Sequence, residues 1–218
     1  MGAAAPPEHT RFVDELLVAL LTPDQPAAQA IVERALDAGW SADDIRFDLI
    51  TPALGVVGDR WERGEIGVGL EHLATSVCHW LLIDLAGRIV RPPAIGRRAV
   101  VGCSEGELHS LGALMVANLM SEHGWTVLYL GASTPADAWA PIVRSRHADA
   151  AVVATTMDAG LELVGPTLRS IKAARPECLA VVGGAAYTGA PGAGAELGAD
   201  LATTKARDLA AQLAALER

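Results

Sequence analysis

The sequence predicts two architectures in series: an all-α four-helix bundle, then an α/β unit built on a five-stranded parallel sheet. Three observations carry this. From Glu8 to Val90 apolar residues recur at helical spacing, with breaks that cut the segment into four. From Ala99 onward short apolar runs alternate with helical patterns, which implies a parallel sheet covered on both faces. Between the two lies Arg91-Pro92-Pro93-Ala94-Ile95-Gly96-Arg97-Arg98, short, charged and proline-rich, a composition that suits a linker. The organisation expected is therefore a bundle over 8–90, a linker over 91–98 and an α/β unit over 99–218.

The first helix runs from about Glu8 to Leu21 and stops at Thr22-Pro23. Asp24 is placed to cap the second, with Pro26 in its first turn and Gly39 at its end. Ser41-Ala42-Asp43-Asp44 resembles a capping box opening a third helix that reaches about Arg63, bends near Pro52 and ends at Gly64. The fourth pattern, Val68 to Val90, places Leu70, Leu73, Val77, Trp80, Leu81 and Leu85 along one broad stripe. Short connections between the four read as a bundle.

Beyond the linker the predicted strands are Ala99 to Cys103, Thr126 to Leu130, Ala150 to Ala154, Leu179 to Val182 and, more weakly marked, Asp200 to Thr203. Helical patterns fall near 108–123, 135–146, 159–175, 190–197 and 205–217. Such a Rossmann-like, flavodoxin-type sheet binds ligands beyond the carboxyl ends of its strands.

Composition narrows the classes. The chain has 218 residues and is 51% apolar, enough for a sizeable core without staples. Cys78, Cys103 and Cys178 are far apart, odd in number and embedded in apolar runs, so they read as buried thiols in a cytoplasmic protein. Met1 to His9 lacks a basic segment followed by an apolar core, and no apolar run reaches the ~20 residues that span a bilayer. A net charge of −9, with no basic cluster beyond Arg97-Arg98, argues against direct nucleic-acid binding.

The stretch that carries chemistry is Glu105-Gly106-Glu107-Leu108-His109-Ser110-Leu111-Gly112, which follows the first strand and opens a helix. Glu107 and His109 lie two apart, so in an extended loop the carboxylate can hold one imidazole nitrogen while the other faces outward, the usual support of a metal-ligating histidine. Gly112 leaves backbone room for a bulky ligand. His123 and His147 sit at helix ends and read as caps or solvent-facing residues; Trp125 and Trp139 read as packing.

Three segments in order, Glu107-Leu108-His109-Ser110-Leu111-Gly112, Thr155-Thr156-Met157 and Gly183-Gly184, each just after a predicted strand, resemble the hallmark of the cobalamin-binding domain family. The resemblance implies a cobalt corrinoid cofactor whose own benzimidazole is displaced from cobalt. It assigns His109 as the lower axial ligand, Glu107 as its orienter, and Thr155 as a hydrogen-bonding neighbour of the buried base. Leu108, Ser110, Leu111, Gly112 and Met157 fall within its motifs. The nucleotide tail would pass Gly183-Gly184, where a long rigid group needs backbone without side chains. Two positions depart from the pattern: Glu107 replaces an aspartate, and Thr155-Thr156-Met157 replaces Ser-x-Leu.

In the bundle, Trp61 is followed after nine residues by Glu71-His72. This W-x9-E-H pattern resembles the sensor half of light-responsive, adenosylcobalamin-dependent repressors of the MerR type. The likeness implies that the bundle caps the upper corrin face, with Trp61 against the adenosyl group and Glu71 and His72 lining its pocket. The N-terminal helix-turn-helix of those repressors has no counterpart here, so output is expected through a protein effector in trans. Glu62 stands where the repressors place the histidine that captures cobalt after photolysis. His72 and His79, two turns apart on one helix face with Ser76 between, are the candidates to replace it.

The chain also resembles the photocobilins, standalone relatives that hold a bilin beside the corrin. His79, Trp80 and Trp40 are candidate contacts for biliverdin, with Cys78 a conceivable tether. The functional expectation is a standalone, non-enzymatic photoreceptor that binds adenosylcobalamin through histidine, homo-oligomerises and responds to breakage of the cobalt–carbon bond. Two rivals stand beside it: a corrinoid methyl carrier serving methyltransferases, and a cobalamin store or chaperone.

Overall fold

The structure is a computed structural model that describes residues 8–190 and 192–216. The opening segment on which the leader reading rests lies outside the described residues up to residue 7, as do Pro191 of the fourth predicted sheet-unit helix and residue 217 of the fifth. The chain divides into two compact units between Ile89 and Val90.

The helical unit holds α1 (Glu8–Leu21), α2 (Gln25–Asp37), α3 (Ala42–Asp44), α4 (Thr51–Glu62) and α5 (Val68–Arg88). Asp24 caps α2 by accepting from the Ala27 N–H at 3.0 Å, with a proline in the first turn. Ser41 and Asp44 form the reciprocal capping box of α3. Between α3 and α4, Ile45–Ile50 is π-helical, so the three pieces form one interrupted rod.

The disturbance expected near Pro52 is therefore an inserted residue ahead of the proline. Pro52 has no N–H for the carbonyl four residues back, and its ring would press on that carbonyl. The chain takes up the extra residue as a π-turn, in which the Thr51 N–H reaches the Arg46 carbonyl. The Thr51 hydroxyl donates to the same carbonyl at 2.8 Å.

Helix α5 corrects the predicted stripe. Val77, Leu81 and Leu85 are buried, together with Ala74, Cys78 and Leu82, but Leu73 is 53% exposed and Trp80 60% exposed. Apolar residues surround the axis of this helix, so spacing alone does not select its buried face.

The second unit runs β1 (Arg98–Cys103), α6 (Leu111–Glu122), β2 (Thr126–Gly131), α7 (Ala136–Arg146), β3 (Ala150–Ala154), α8 (Leu161–Ala174), β4 (Leu179–Gly183), α9 (Ala193–Glu196), β5 (Leu201–Thr203) and α10 (Leu209–Leu216). All strand pairs are parallel, in the order β2-β1-β3-β4-β5. Alternate residues of β1 feed opposite faces: Val100 joins Trp139, Val143 and Leu168, while Ala99 and Val101 join Ala113, Met120 and Leu213. The chain leaves β1 toward β2 and returns on the other side to β3, so the strand order reverses at β1/β3, where such sheets open a ligand crevice.

Ahead of β1 the segment predicted as linker is tied to this unit. The Ile95 N–H donates to the Gly124 carbonyl and the Thr126 N–H to the Arg97 carbonyl, both at 2.9 Å. Gly124 has φ of +85°, and a Cβ there would meet Ile95 Cγ2 at 2.9 Å, which accounts for the glycine.

All three cysteines are free and buried, and burial pushes each thiol up to about 12. Trp125 and Trp139 are core residues. His123 turns its Nδ1 to the Leu119 carbonyl at 2.9 Å, and His147 ends α7 in the left-handed region.

The two exposure extremes among the tryptophans predict opposite outcomes in urea melts. Trp139→Ala removes a fully enclosed indole and should lower unfolding free energy by about 3–5 kcal/mol. Trp80→Ala should change it by no more than about 0.5 kcal/mol.

Candidate functional site

The loop between β1 and α6 builds the site. The Ser104 N–H continues the ladder by donating to the Ala154 carbonyl at 3.0 Å, and Gly106, with φ of +79°, lets the Glu107 N–H turn back to the Ser104 carbonyl at 3.1 Å. The chain is thereby folded so that the Glu107 side chain points into the β1/β3 crevice.

That carboxylate is 4% exposed and fully engaged. Its Oε1 accepts from the His109 backbone N–H at 2.8 Å and meets His109 Nδ1 at 2.6 Å. Its Oε2 accepts from the Thr156 and Met157 N–H groups, at 2.6 and 3.0 Å, where the chain leaves β3. Burial raises the Glu107 pKa, but the three N–H donors and the imidazole outweigh it and hold the group below the usual carboxylate range. Glu107 is therefore an anion at neutral pH.

An anion at Nδ1 fixes the proton on that nitrogen and leaves the lone pair on Nε2. The His109 side chain is 56% exposed, so this oriented ring faces outward. An oriented ring nitrogen of this kind is chemically suited to a metal ion. Leu108 and Met157, beside it in the two loops, are exposed; Leu111 and Ser110 are half-buried, and Gly112 has open space around its Cα. The Glu107 side chain is long enough to reach both the ring nitrogen and the two amides just past β3.

Behind the carboxylate, Ser104 Oγ and Thr155 Oγ1 lie 3.0 Å apart and wholly buried. Gly183 and Gly184 close the same region, and the structure gives them a reason within the chain. A Cβ on Gly184 (φ +119°) would stand 2.2 Å from the Thr155 carbonyl oxygen, and one on Gly183 2.8 Å from that of Thr203. Gly160 is held in the same way, 2.9 Å from Thr155 Cγ2. The buried hydroxyl pair and these close approaches make a tightly packed polar wall behind the carboxylate.

The candidate residues of the helical unit lie on α4 and α5. Trp61, in the last turn of α4, is 46% exposed and so is not a core residue. Glu71 is half-buried and accepts from the Thr75 hydroxyl at 2.8 Å, while His72 Nδ1 lies 3.1 Å from the Val68 carbonyl and 3.3 Å from Glu71. His72, Ser76 and His79 are all exposed on one face of α5.

The three bilin candidates are not gathered in one place. Trp40 packs on α1, 4.2 Å from His9 and 5.3 Å from Phe12 between ring centroids. Trp80 instead lines a groove of about 340 Å3 with Leu81, Ile83 and Asp84 of α5 and Gln25 and Gln29 of α2. Cys78 is enclosed in the core, its thiol raised, and is in no position to tether a ligand.

The sequence reading passed over Ser104, Tyr129 and Ser133. Ser104 had a signal, since it directly follows the first strand. Tyr129 and Ser133 reach the loop only through the β1/β2 pairing, which no local pattern discloses.

A parallel sheet of this order, with a carboxylate-held imidazole at its switch point and a helical unit before it, defines a corrinoid-binding protein. The chain belongs to the B12 binding domain family: one profile so described matches residues 97–214 and a second matches residues 13–82. It is similar to the HTH-type transcriptional repressor CarH of Myxococcus xanthus, 30% identical over 185 residues, 84% of this chain and 60% of the relative. It is also similar to monomethylamine corrinoid protein 2 of Methanosarcina mazei, 24% identical over 127 residues, 56% of this chain and 58% of the relative. The chain thus spans about 60% of the length of these curated relatives. In fold it matches the solved structure of the Methanosarcina barkeri monomethylamine corrinoid protein with a TM-score of 0.78, at 20% identity, over 96% of this chain and all of that one. Among the described residues no helix is long and apolar enough to cross a membrane.

The contacts separate the two residues of the pair. Glu107→Ala leaves three N–H groups without their anion and should cost about 1–3 kcal/mol in denaturant melts. His109→Ala removes one of the four donors to the buried carboxylate and leaves its three backbone N–H partners in place, so it should cost about 0.5–1.5 kcal/mol, and its effect on cobalamin is read on a folded protein.

Proposed function

We propose that this cobalamin-binding protein is a photoreceptor that holds adenosylcobalamin with His109 as the cobalt ligand and reports loss of the adenosyl group through its helical unit. The observation that carries this reading is the reach of the likeness to the repressor. It extends over 84% of the chain, both units included, whereas the corrinoid-protein relative matches 56%. The helical unit carries the W-x9-E-H residues, and Trp61 is exposed and available to a ligand.

When bound, adenosylcobalamin supplies a cobalt–carbon bond that visible light breaks. His109 would hold the metal through the ring nitrogen that Glu107 leaves free. Thr155 with Ser104 would offer hydroxyls to the cofactor's base, Gly183-Gly184 would leave its tail free of side chains, and Leu108, Ser110, Leu111, Gly112 and Met157 would line the sheet-unit part of the site. In the helical unit, Trp61, Glu71 and His72 would be the contacts of the adenosyl group. To take a two-state switch from 99:1 to 1:99, that group must contribute about 5.5 kcal/mol of differential binding. Burying an aromatic base against Trp61 supplies a large part, since aromatic contacts are each of the order of a few kcal/mol.

With a net charge of −9, the output we propose is a change in homo-oligomerisation or in the contacts of a protein effector, in the cytoplasm, and not in nucleic-acid contact. A bilin as second chromophore has one supporting feature, the groove walled by Trp80, whose size lies within the ordinary range of ligand sites. With Cys78 buried, such a bilin would be bound without a covalent link.

The fold likeness to a monomethylamine corrinoid protein favours a second reading, a methyl carrier. The two readings part on the upper ligand, because a carrier prefers methylcobalamin and has no use for Trp61. A store or chaperone, the third reading, would return its cofactor unchanged from illumination.

Protein loaded with adenosylcobalamin in darkness should change its visible spectrum and its size-exclusion profile after green light. An unchanged spectrum supports storage, and tighter binding of methylcobalamin supports the carrier. His109→Ala should shift the dark spectrum to that of cobalamin held by its own base; an unaltered spectrum rejects the ligand assignment. Trp61→Ala should weaken adenosylcobalamin by about 10- to 100-fold while leaving methylcobalamin within about threefold. Biliverdin should add a band that Trp80→Ala abolishes.

A further inference from the structure

The histidine loop is gripped on its other flank by β2, through groups that the carboxylate does not touch. The Tyr129 phenol donates to the carbonyl of Ser110, next to the histidine, at 2.9 Å. Ser133, just past the end of β2, gives its N–H to the Glu107 carbonyl at 2.8 Å, and its Oγ accepts from the Gly106 N–H at 3.1 Å. Ser133 does this with φ of +45°, in the left-handed region that costs a serine energy and persists only where its surroundings over-determine it. Both of its loop contacts come from this one strained residue. Tyr129 is 37% exposed, at the surface beside the loop it touches.

We infer that Tyr129 and Ser133 are positioning residues for His109. They form a brace from β2 that fixes the height and pitch of the loop, while Glu107 fixes the tautomer and rotation of the ring. The division follows from the atoms involved. Glu107 holds the imidazole and the backbone N–H of His109, so alone it leaves the loop free to pivot about the carboxylate. Tyr129 and Ser133 hold carbonyls and an amide on either side of that pivot. A ligating nitrogen displaced by such pivoting competes less well with the cofactor's own base, and the equilibrium moves toward release of the protein ligand.

This inference rests on His109 being the cobalt ligand, and the test reads the two separately. Protein labelled with 15N-histidine is loaded with cobalamin reduced to cobalt(II), and the electron spin resonance spectrum reports the axial nitrogen. A 15N ligand from the protein splits each line into two, whereas a 14N ligand from the cofactor's base splits it into three. Wild type should give doublets; triplets in wild type would remove the ligand assignment itself. Tyr129→Phe and Ser133→Ala should each give a mixture, with cobalamin leaving about three- to tenfold faster, the effect of one lost hydrogen bond.

Ser133→Gly separates positioning from stability. It relieves the left-handed backbone and should hold or raise the melting temperature, while losing the Oγ acceptor and giving the same mixed spectrum. In cofactor-free protein, the His109 amide should exchange with solvent faster in all three variants. Pure doublets with wild-type release rates in the variants, or ligation that simply follows melting temperature across the three, would overturn the inference.

Discussion

One buried carboxylate organises this molecule's chemistry. Glu107 is enclosed at the point where the sheet reverses order, and it is tolerable there only because three backbone amides and an imidazole surround it. Each donor comes from a place that the fold must bring into register: the loop after β1, the ring it presents, and the chain leaving β3. The parallel pairing of β1 with β3 is what makes those places meet. Fold and loop geometry are in this sense one constraint, since the strand ladder that closes the sheet also aims the imidazole.

The same economy shows in the glycines. Gly183 and Gly184 looked, from sequence, like room left for a ligand. In the structure they are first of all room left for the chain, because the end of β4 passes within bonding distance of β3 and β5. Both readings are compatible, since a crevice whose walls are backbone has space for a rigid tail only if no side chain fills it. The requirement for glycine is therefore set before any ligand arrives.

The order of strands and helices was legible because alternation in a buried parallel sheet leaves short apolar runs at regular intervals. So was the Glu107–His109 pair, because two residues of one loop carry the interaction. What escaped was tertiary. The exposure of Leu73 and Trp80 on α5 is invisible in a helix whose apolar residues go all the way round, where only the neighbours decide which face is buried. The π-turn before Pro52 escaped because a proline announces a disturbance without saying on which side the chain absorbs it. Tyr129 and Ser133 escaped because they act across a strand pair, at a sequence distance of about twenty residues or more from the atoms they hold.

The interrupted rod also bears on how the helical unit can move. Inside the π-turn, Arg46 is wholly enclosed, with its guanidinium on Asp43 at 2.8 Å. A cation in such a position acts as a detent: turning α4 by one residue relative to α3 would drag a charged group through apolar packing and strip the Thr51 hydroxyl from its carbonyl. Rotation within this rod is thereby opposed, and α3, the π-turn and α4 form one stiff piece up to the terminus where Trp61 sits.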